Sequence, residues 1–591
     1  MVQEREEIED SYKWNLEEMF SSDEEWSETF EQASEEIEKF DEYKGKVTEP
    51  GETLLEVLKL REKVKRKIKN LASYAQMRYD QDTRNQEYQA LKSKASTLSS
   101  EFSSATSFIE PEIQDAGEER IQELIEEEED LEVYRHYFDD VLRFRPHTLS
   151  KSEEKLVSSL GDVLDAPDDA YKMLMNADMT FPEVQTPEGE KVEITQSNFT
   201  KFLKNSDREF RKEVYEKFYD EIDTVRNTVT STFQKNVKRN VKMADIRDYD
   251  SAREASLFSS NIPVDVYDNL VDSVEANLDA LHRHLELKES VLDVDQLGME
   301  DVYMPVATSD EPEIDFEEAK EYVLKAVEPL GEKYQEAMRE GLESGWVDVY
   351  ENRGKRSGAY SGGTYDSMPY ILLNYQDDVN SMYTLAHELG HSMHSYFSTG
   401  NQPYVYGGYK IFVAEVASTV NEALLTRYLM ENAPEEVRKH ALSHYLENFR
   451  NTLFRQTMFA DFEQRVHEEV EDGEALTSKK LNEMYGGLKE DYYRPADVDE
   501  RIEREWMRIP HFYYNFYVYQ YATGISAAET LVEKIKDEGP EDYIEFLKTG
   551  SSKYPLEALK VAGVDMEDPE AVEKAIEHYR EHIEKGEEMF E

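Results

Sequence analysis

Apolar residues recur at three- and four-residue intervals over most of this chain, a spacing that puts them on one face of a helix. Between Trp26 and about Asp140, Leu54, Leu55, Val57, Leu58 and Leu60 lead into Ile68, Leu71, Ala72 and Tyr74, which predicts a run of packed amphipathic helices. The period changes between Met179 and Gln196. There Phe181-Pro182-Glu183-Val184 and Lys191-Val192-Glu193-Ile194 flank a Pro187-Glu188-Gly189 turn, the pattern of a small β-hairpin. Helical spacing resumes near Ser206 and holds to about Ser344, broken by Pro263, Pro305 and a loop from Ala307 to Pro312. A glycine-rich stretch from Gly354 to Gly363 then precedes a short apolar strand from Tyr370 to Tyr375, and helix returns from Asp377 to the end. The fold expected is mainly α with a small β-sheet. The hairpin, about 179–196, is taken as the end of an N-terminal helical lobe, residues 1–200, with residues 201–591 forming a second region.

Composition sharpens this picture in three ways. A length of 591 residues supports a large core and more than one lobe. Asp and Glu number 130 against 68 Lys and Arg, a formal net charge of -62, which speaks against nucleic acid and anionic membrane as partners. Yet 11% of the residues are aromatic, so the chain reads as folded with a carboxylate-rich surface rather than disordered. Such self-repulsion is screened by concentrated salt, and a salt-rich, halophilic cytoplasm is expected. The sequence has no cysteine, so any metal must be held by His and carboxylate. The start, MVQEREEIEDSYKWNLEEMF, lacks a basic and an apolar region, and no apolar run reaches membrane-spanning length; a cytoplasmic protein is expected. The run Glu126 to Asp130 reads as a solvated helix face.

The chemistry concentrates at His387-Glu388-Leu389-Gly390-His391. On a helix, His-Glu-x-x-His sets two imidazoles one turn apart, where both reach one tetrahedral Zn²⁺ with the glutamate beside them as base. Projected at about 100° per residue, Thr384, His387, His391, His394 and Ser398 share a narrow stripe, opposite Met382, Leu385, Leu389, Met393 and Tyr396. Buried imidazoles without partners cost about 1–3 kcal/mol each, which a metal ion would offset. His394 lies roughly 10.5 Å along the axis from His387, too far to share the ligand set. The third ligand is sought downstream, in the apolar helix Ile411 to Leu425, where Glu415, Ser418, Thr419 and Glu422 form the polar stripe. Glu415 is taken as the ligand, because a carboxylate amid Val, Ala and Phe is costly unless bound. Glu422, two turns on, is placed to orient a ligand histidine through its other ring nitrogen.

Two other histidine patterns compete. His440 and His444 have the spacing but no acid beside them. His578-Tyr579-Arg580-Glu581-His582 matches the inverted H-x-x-E-H order, but Arg580 sits between the ligands and no buried acid follows. Both are read as structural.

The octapeptide His387 to His394, followed by Glu415 in Val-Ala-Glu-Val-Ala-Ser, resembles the thimet oligopeptidase (M3) family of zinc metallopeptidases. The likeness is closest to oligoendopeptidase F. It rests on Tyr370-Ile-Leu-Leu-Asn-Tyr375, Ala414-Glu-Val-Ala-Ser-Thr419, Asn176-Ala-Asp-Met-Thr-Phe181 and the segment Pro510 to Gly524, and spans most of the chain. The resemblance implies a two-lobed helical ellipsoid split by a deep channel that admits only short peptides, with the zinc site in its wall. It also implies that His511 and nearby tyrosines contact the substrate carbonyl. Tyr514, Tyr517 and Tyr521 are favoured because they share a helical face with His511; core packing is the other reading of this aromatic run.

The expected activity is endopeptidase cleavage of short oligopeptides with one Zn²⁺ per chain held by His387, His391 and Glu415, and with Glu388 as general base. The strand carrying Tyr370, Leu372 and Asn374 is expected to bind extended substrate by edge pairing. Two rivals are a zinc hydrolase of another amide and a non-catalytic peptide-binding protein.

Overall fold

A computed structural model describes residues 2–308 and 311–590. In chain order, the helices and strands that matter most are α1 (Gly51–Gln81), α2 (Gln86–Thr106), β1 (Glu183–Gln185), β2 (Lys191–Glu193), β3 (Val347–Asp348), β4 (Tyr360–Gly362), β5 (Tyr370–Leu372), α3 (Val379–Asn401), α4 (Ile411–Asn432), α5 (Arg455–Glu471) and α6 (Tyr519–Glu538). The architecture is mainly α, with one two-stranded and one three-stranded sheet among the described residues. β1 and β2 pair antiparallel with Val184 opposite Val192, so the hairpin stands where the change of period put it.

The chain forms two compact units, each built from three separate stretches. One takes Met1–Pro146, Glu313–Tyr428 and Val532–Gly563; the other takes His147–Pro312, Leu429–Leu531 and Val564–Glu591. The expected division near residue 200 does not coincide with a boundary between them, and the hairpin lies inside the second unit. A linear reading cannot show this, because each unit closes only when segments hundreds of residues apart pack together.

In the first unit, the α1 face predicted from the leucine spacing is buried: Leu54, Val57 and Leu71 are fully enclosed. They share one core with Trp14, Trp26, Phe40, Tyr370 and Leu372. β5 is the middle strand of the small sheet, parallel to β3 and antiparallel to β4. That corrects its expected role as a pairing edge. Tyr370 and Leu372 are fully buried, the Tyr370 hydroxyl donates to the Asn15 carbonyl at 2.9 Å, and the Asn374 amide donates to the Arg356 and Gly358 carbonyls. An apolar run flanked by glycine marks a strand, but not its position in the sheet; here the glycine-rich stretch supplies the outer strand β4 and covers β5.

Candidate metal centre

Helix α3 begins where the Asp378 side chain accepts from the Ser381 N–H at 2.7 Å, an N-cap that fixes its first turn. It ends at Asn401, just before Pro403, which cannot continue a helix. From Ser381 to His394 every side chain is buried except Thr384, His387 and His391, which lie three and four residues apart. One narrow stripe of a buried helix thus remains open, and it carries the two imidazoles. α4 repeats the device: between Phe412 and Thr426 only Glu415 and Glu422 escape burial.

Gly390 brings the two stripes together. A Cβ there would stand 2.5 Å from Ser418 Cα and 2.6 Å from the Ala417 carbonyl, so only glycine lets the two backbones approach this closely. Asn421 ties the contact, donating to the Ala386 carbonyl at 3.2 Å and accepting from the Tyr334 hydroxyl at 2.9 Å.

Glu415 Oε2 consequently lies 3.4 Å from His387 Nε2 and 3.7 Å from His391 Nε2. One ligand atom from each of the three residues falls within 4.8 Å of the others. Ligands held at about 2.0–2.2 Å around a tetrahedral Zn²⁺ stand roughly 3.3–3.6 Å apart, so this donor set fits such an ion. Glu422 Oε1 accepts from His387 Nδ1 at 2.5 Å, which turns Nε2 toward Glu415. The imidazole of His391 donates to the Ala414 carbonyl.

Glu388 is buried beside the cluster, and its carboxylate accepts from the Ser361 N–H of β4. Burial, opposed by His387 and assisted by Glu415 and Glu422, lifts its carboxyl to about 7. Burial and the neighbouring His387 depress His391 to about 4. For His387 burial again disfavours charge, but hydrogen bonds to Glu415 and Glu422 outweigh it and raise the imidazole well above its ordinary value. A dication at the cluster reverses this balance, since it favours neutral imidazole and ionised carboxylate.

The histidines set aside stay outside this group. His394 is buried with its ring stacked on Tyr409 at 3.7 Å. His578 reaches Glu529 at 3.3 Å, and His582 donates to the His578 carbonyl at 2.7 Å. Among the described residues, His387, His391 and Glu415 form the one set with metal-ligand spacing.

In the second unit, the rings of His511, Tyr514, Tyr517 and Tyr521 gather, with His511 at 5.6 Å from Tyr514 and 6.2 Å from both Tyr517 and Tyr521. Tyr513 and Tyr519 point away, the first stacked on Tyr171 and the second against Tyr267. The expected reason for the grouping does not hold, because the four do not share a helix. Pro510–Tyr513 is one 3-10 turn, and α6 starts only at Tyr519. Between them Asn515 and Phe516 take positive φ, 48° and 55°, reversing the chain. The Phe516 N–H is held by Glu463 Oε1 at 2.7 Å and the Asn515 carbonyl by the Ser256 hydroxyl at 2.7 Å. Burial and Arg455 lower the His511 imidazole.

Sequence reasoning passed over three residues here. Gly390 was readable, since a glycine inside a helix asks for a close neighbour. Ser361 and Glu463 act through contacts made across long stretches of chain and leave no local mark.

The profile of Peptidase family M3 matches residues 201–578, and that of Oligopeptidase F matches residues 112–181. The chain belongs to peptidase family M3. Peptide hydrolysis is the activity this family membership indicates. Oligopeptidase PepF of Bacillus subtilis is 44% identical over 591 residues, covering 99% of this M3 chain and 88% of the relative. A solved chain from Chlamydophila abortus superposes with a TM-score of 0.91 at 34% identity, covering 100% of both chains. Oligoendopeptidase-F from Enterococcus faecium gives a TM-score of 0.75 at 37% identity, covering 96% of this chain and 99% of its own. The small sheets and many helices of this M3 chain are therefore those of oligoendopeptidase F.

Proposed function

We propose that this chain is a zinc-dependent endopeptidase that hydrolyses internal bonds of short peptides, one Zn²⁺ being held by His387, His391 and Glu415. The observation that carries the proposal is the convergence of these three donors on one point beside the buried carboxyl of Glu388. A zinc ion there supplies a Lewis acid and lowers the pKa of water toward about 7. Glu388, kept ionised beside a bound dication, would take the proton of the attacking water and return it to the leaving amine nitrogen. Glu422 fixes the tautomer of His387 through Nδ1. Extended substrate pairs with β4, the strand at the sheet edge next to α3, in place of the buried β5. His511, with Tyr514, Tyr517 and Tyr521, donates hydrogen bonds to the substrate carbonyl, a role supported by the family resemblance.

Glu388 distinguishes this proposal from a peptide-binding protein, which has no use for a buried base between two metal ligands. Digestion of a mixed peptide library in high salt, with and without a zinc chelator, is expected to give internal cleavages of short peptides that the chelator abolishes. Cleavage of small acyl-amides with peptides left intact contradicts the proposal. The acidic excess supports a salt-rich cytoplasmic setting without nucleic acid or membrane partners. No helix among the described residues is long and apolar enough to cross a membrane.

A further inference from the structure

Against an acidic chain, one segment stands out by charge. Residues 59–69 of α1, Lys-Leu-Arg-Glu-Lys-Val-Lys-Arg-Lys-Ile-Lys, hold seven cations and one acid. Five of the seven have carboxylate partners. Lys59 meets Asp130, Lys63 and Lys67 both meet Glu36, Arg61 meets Glu110, and Arg66 meets Asp366. Lys65 and Lys69, one turn apart, reach no acceptor among the described residues, although carboxylates outnumber cations almost two to one in the sequence. Like charges at this spacing repel.

These two lysines face a cavity of about 700 Å³ in the first unit, where Arg61, Arg66 and Lys410 also line the wall and, with the two lysines, outnumber its carboxylates Glu62, Glu110 and Asp366. Lys65 stays solvent-exposed, yet the surrounding wall, then Arg61 and Lys69, hold its ammonium below its ordinary value against the weaker pull of Glu110 and Glu62. The cavity adjoins the metal centre through the same backbone. Gly362, one residue past the Ser361 that bonds Glu388, is in its wall, as are Ser395 and Thr399, one and two turns beyond His391 on α3. Tyr409 closes the connection, its hydroxyl donating to the His391 carbonyl at 3.3 Å and meeting Ser395 Oγ at 3.0 Å.

A pocket of this size accepts a few residues of extended peptide, and two unpaired ammonium groups select a negative charge on it. We propose that this cavity is a substrate subsite in which Lys65 and Lys69 bind a carboxylate of the peptide, either its C-terminal α-carboxylate or an acidic side chain. The inference rests on the peptidase reading above and adds a charge preference to it.

The test compares wild type with the double variant Lys65→Gln, Lys69→Gln on two pairs of short peptides. One pair is the same peptide as free acid and as C-terminal amide; the other differs by Glu against Gln within the sequence. Wild type is expected to favour the charged member of one pair by about tenfold in kcat/KM, the worth of one charge-assisted hydrogen bond, and the pair that responds identifies the source of the carboxylate. The double variant is expected to lose that preference while cleaving the neutral peptides within about twofold of wild type. A wild type indifferent to charge in both pairs, or a double variant that keeps the preference, overturns the subsite and leaves the peptidase reading standing. Absence of chelator-sensitive cleavage for all four peptides overturns that reading and the subsite with it.

Discussion

The candidate metal centre and the His511 segment both present imidazole and other polar side chains from apolar surroundings, but on different kinds of backbone. His387, His391, Glu415 and Glu422 stand on two regular helices, where each position follows from the spacing and from one glycine that sets the helix separation. His511, Tyr514, Tyr517 and Tyr521 stand on a 3-10 turn, a reversal through two left-handed residues and the first turn of α6. Geometry in the first region is local and repeats; in the second it is imposed by Glu463 and Ser256 from elsewhere. The first should therefore fail when its helix packing is disturbed, and the second when a distant buried acceptor is removed.

Gly390→Ala attacks the first region with the largest expected effect. Its Cβ has no room against Ser418, so the helices must separate, an overpacking cost of about 1–3 kcal/mol. Because Glu415 rides on the displaced helix, zinc affinity by competition with a chelator is expected to fall by about a hundredfold or more, beyond the effect of any outer contact. Zinc binding unchanged from wild type would show that the helix separation does not set the ligand geometry. Glu422→Ala keeps the helix contact at Gly390 and removes the partner of His387 Nδ1. Affinity is expected to drop about 10- to 100-fold while the fold, followed by circular dichroism, persists.

The second region is probed through Glu463, whose carboxyl burial raises from 4.5 to about 8 while the Phe516 N–H opposes the rise. A raised folded-state value means that its contribution to stability is complete below about 4.5 and is lost as pH rises through about 8. The urea midpoint of wild type is expected to decline across this window more than that of Glu463→Gln, which keeps an acceptor for Phe516 and cannot ionise. Glu463→Ala leaves that N–H unpaired, a loss of about 1–3 kcal/mol at neutral pH. Parallel pH profiles for wild type and the Gln variant would show that Glu463 does not govern the turn.

The contrast also explains what the sequence made legible. The helical period marks α3 and α4, and the polar stripe on each singles out His387, His391, Glu415 and Glu422. The same projection applied to residues 511–521 picked tyrosines whose rings do gather, but through a reversal at Asn515 and Phe516 that has no glycine to announce it. The apolar strand Tyr370 to Leu372 was visible as a strand, while its central position depends on β3 and β4 pairing to either side. Discontinuous units lie beyond any linear reading, since their boundaries exist only in the pattern of contacts.

The central claim is that His387, His391 and Glu415 hold zinc while Glu388 moves the proton. Its most direct test is Glu388→Gln, in which metal content and peptide turnover are measured on the same preparation. About one zinc per chain after dialysis, with turnover reduced roughly a hundred- to ten-thousandfold, is the predicted result. A variant that keeps its zinc and still cleaves peptides within tenfold of wild type would contradict it.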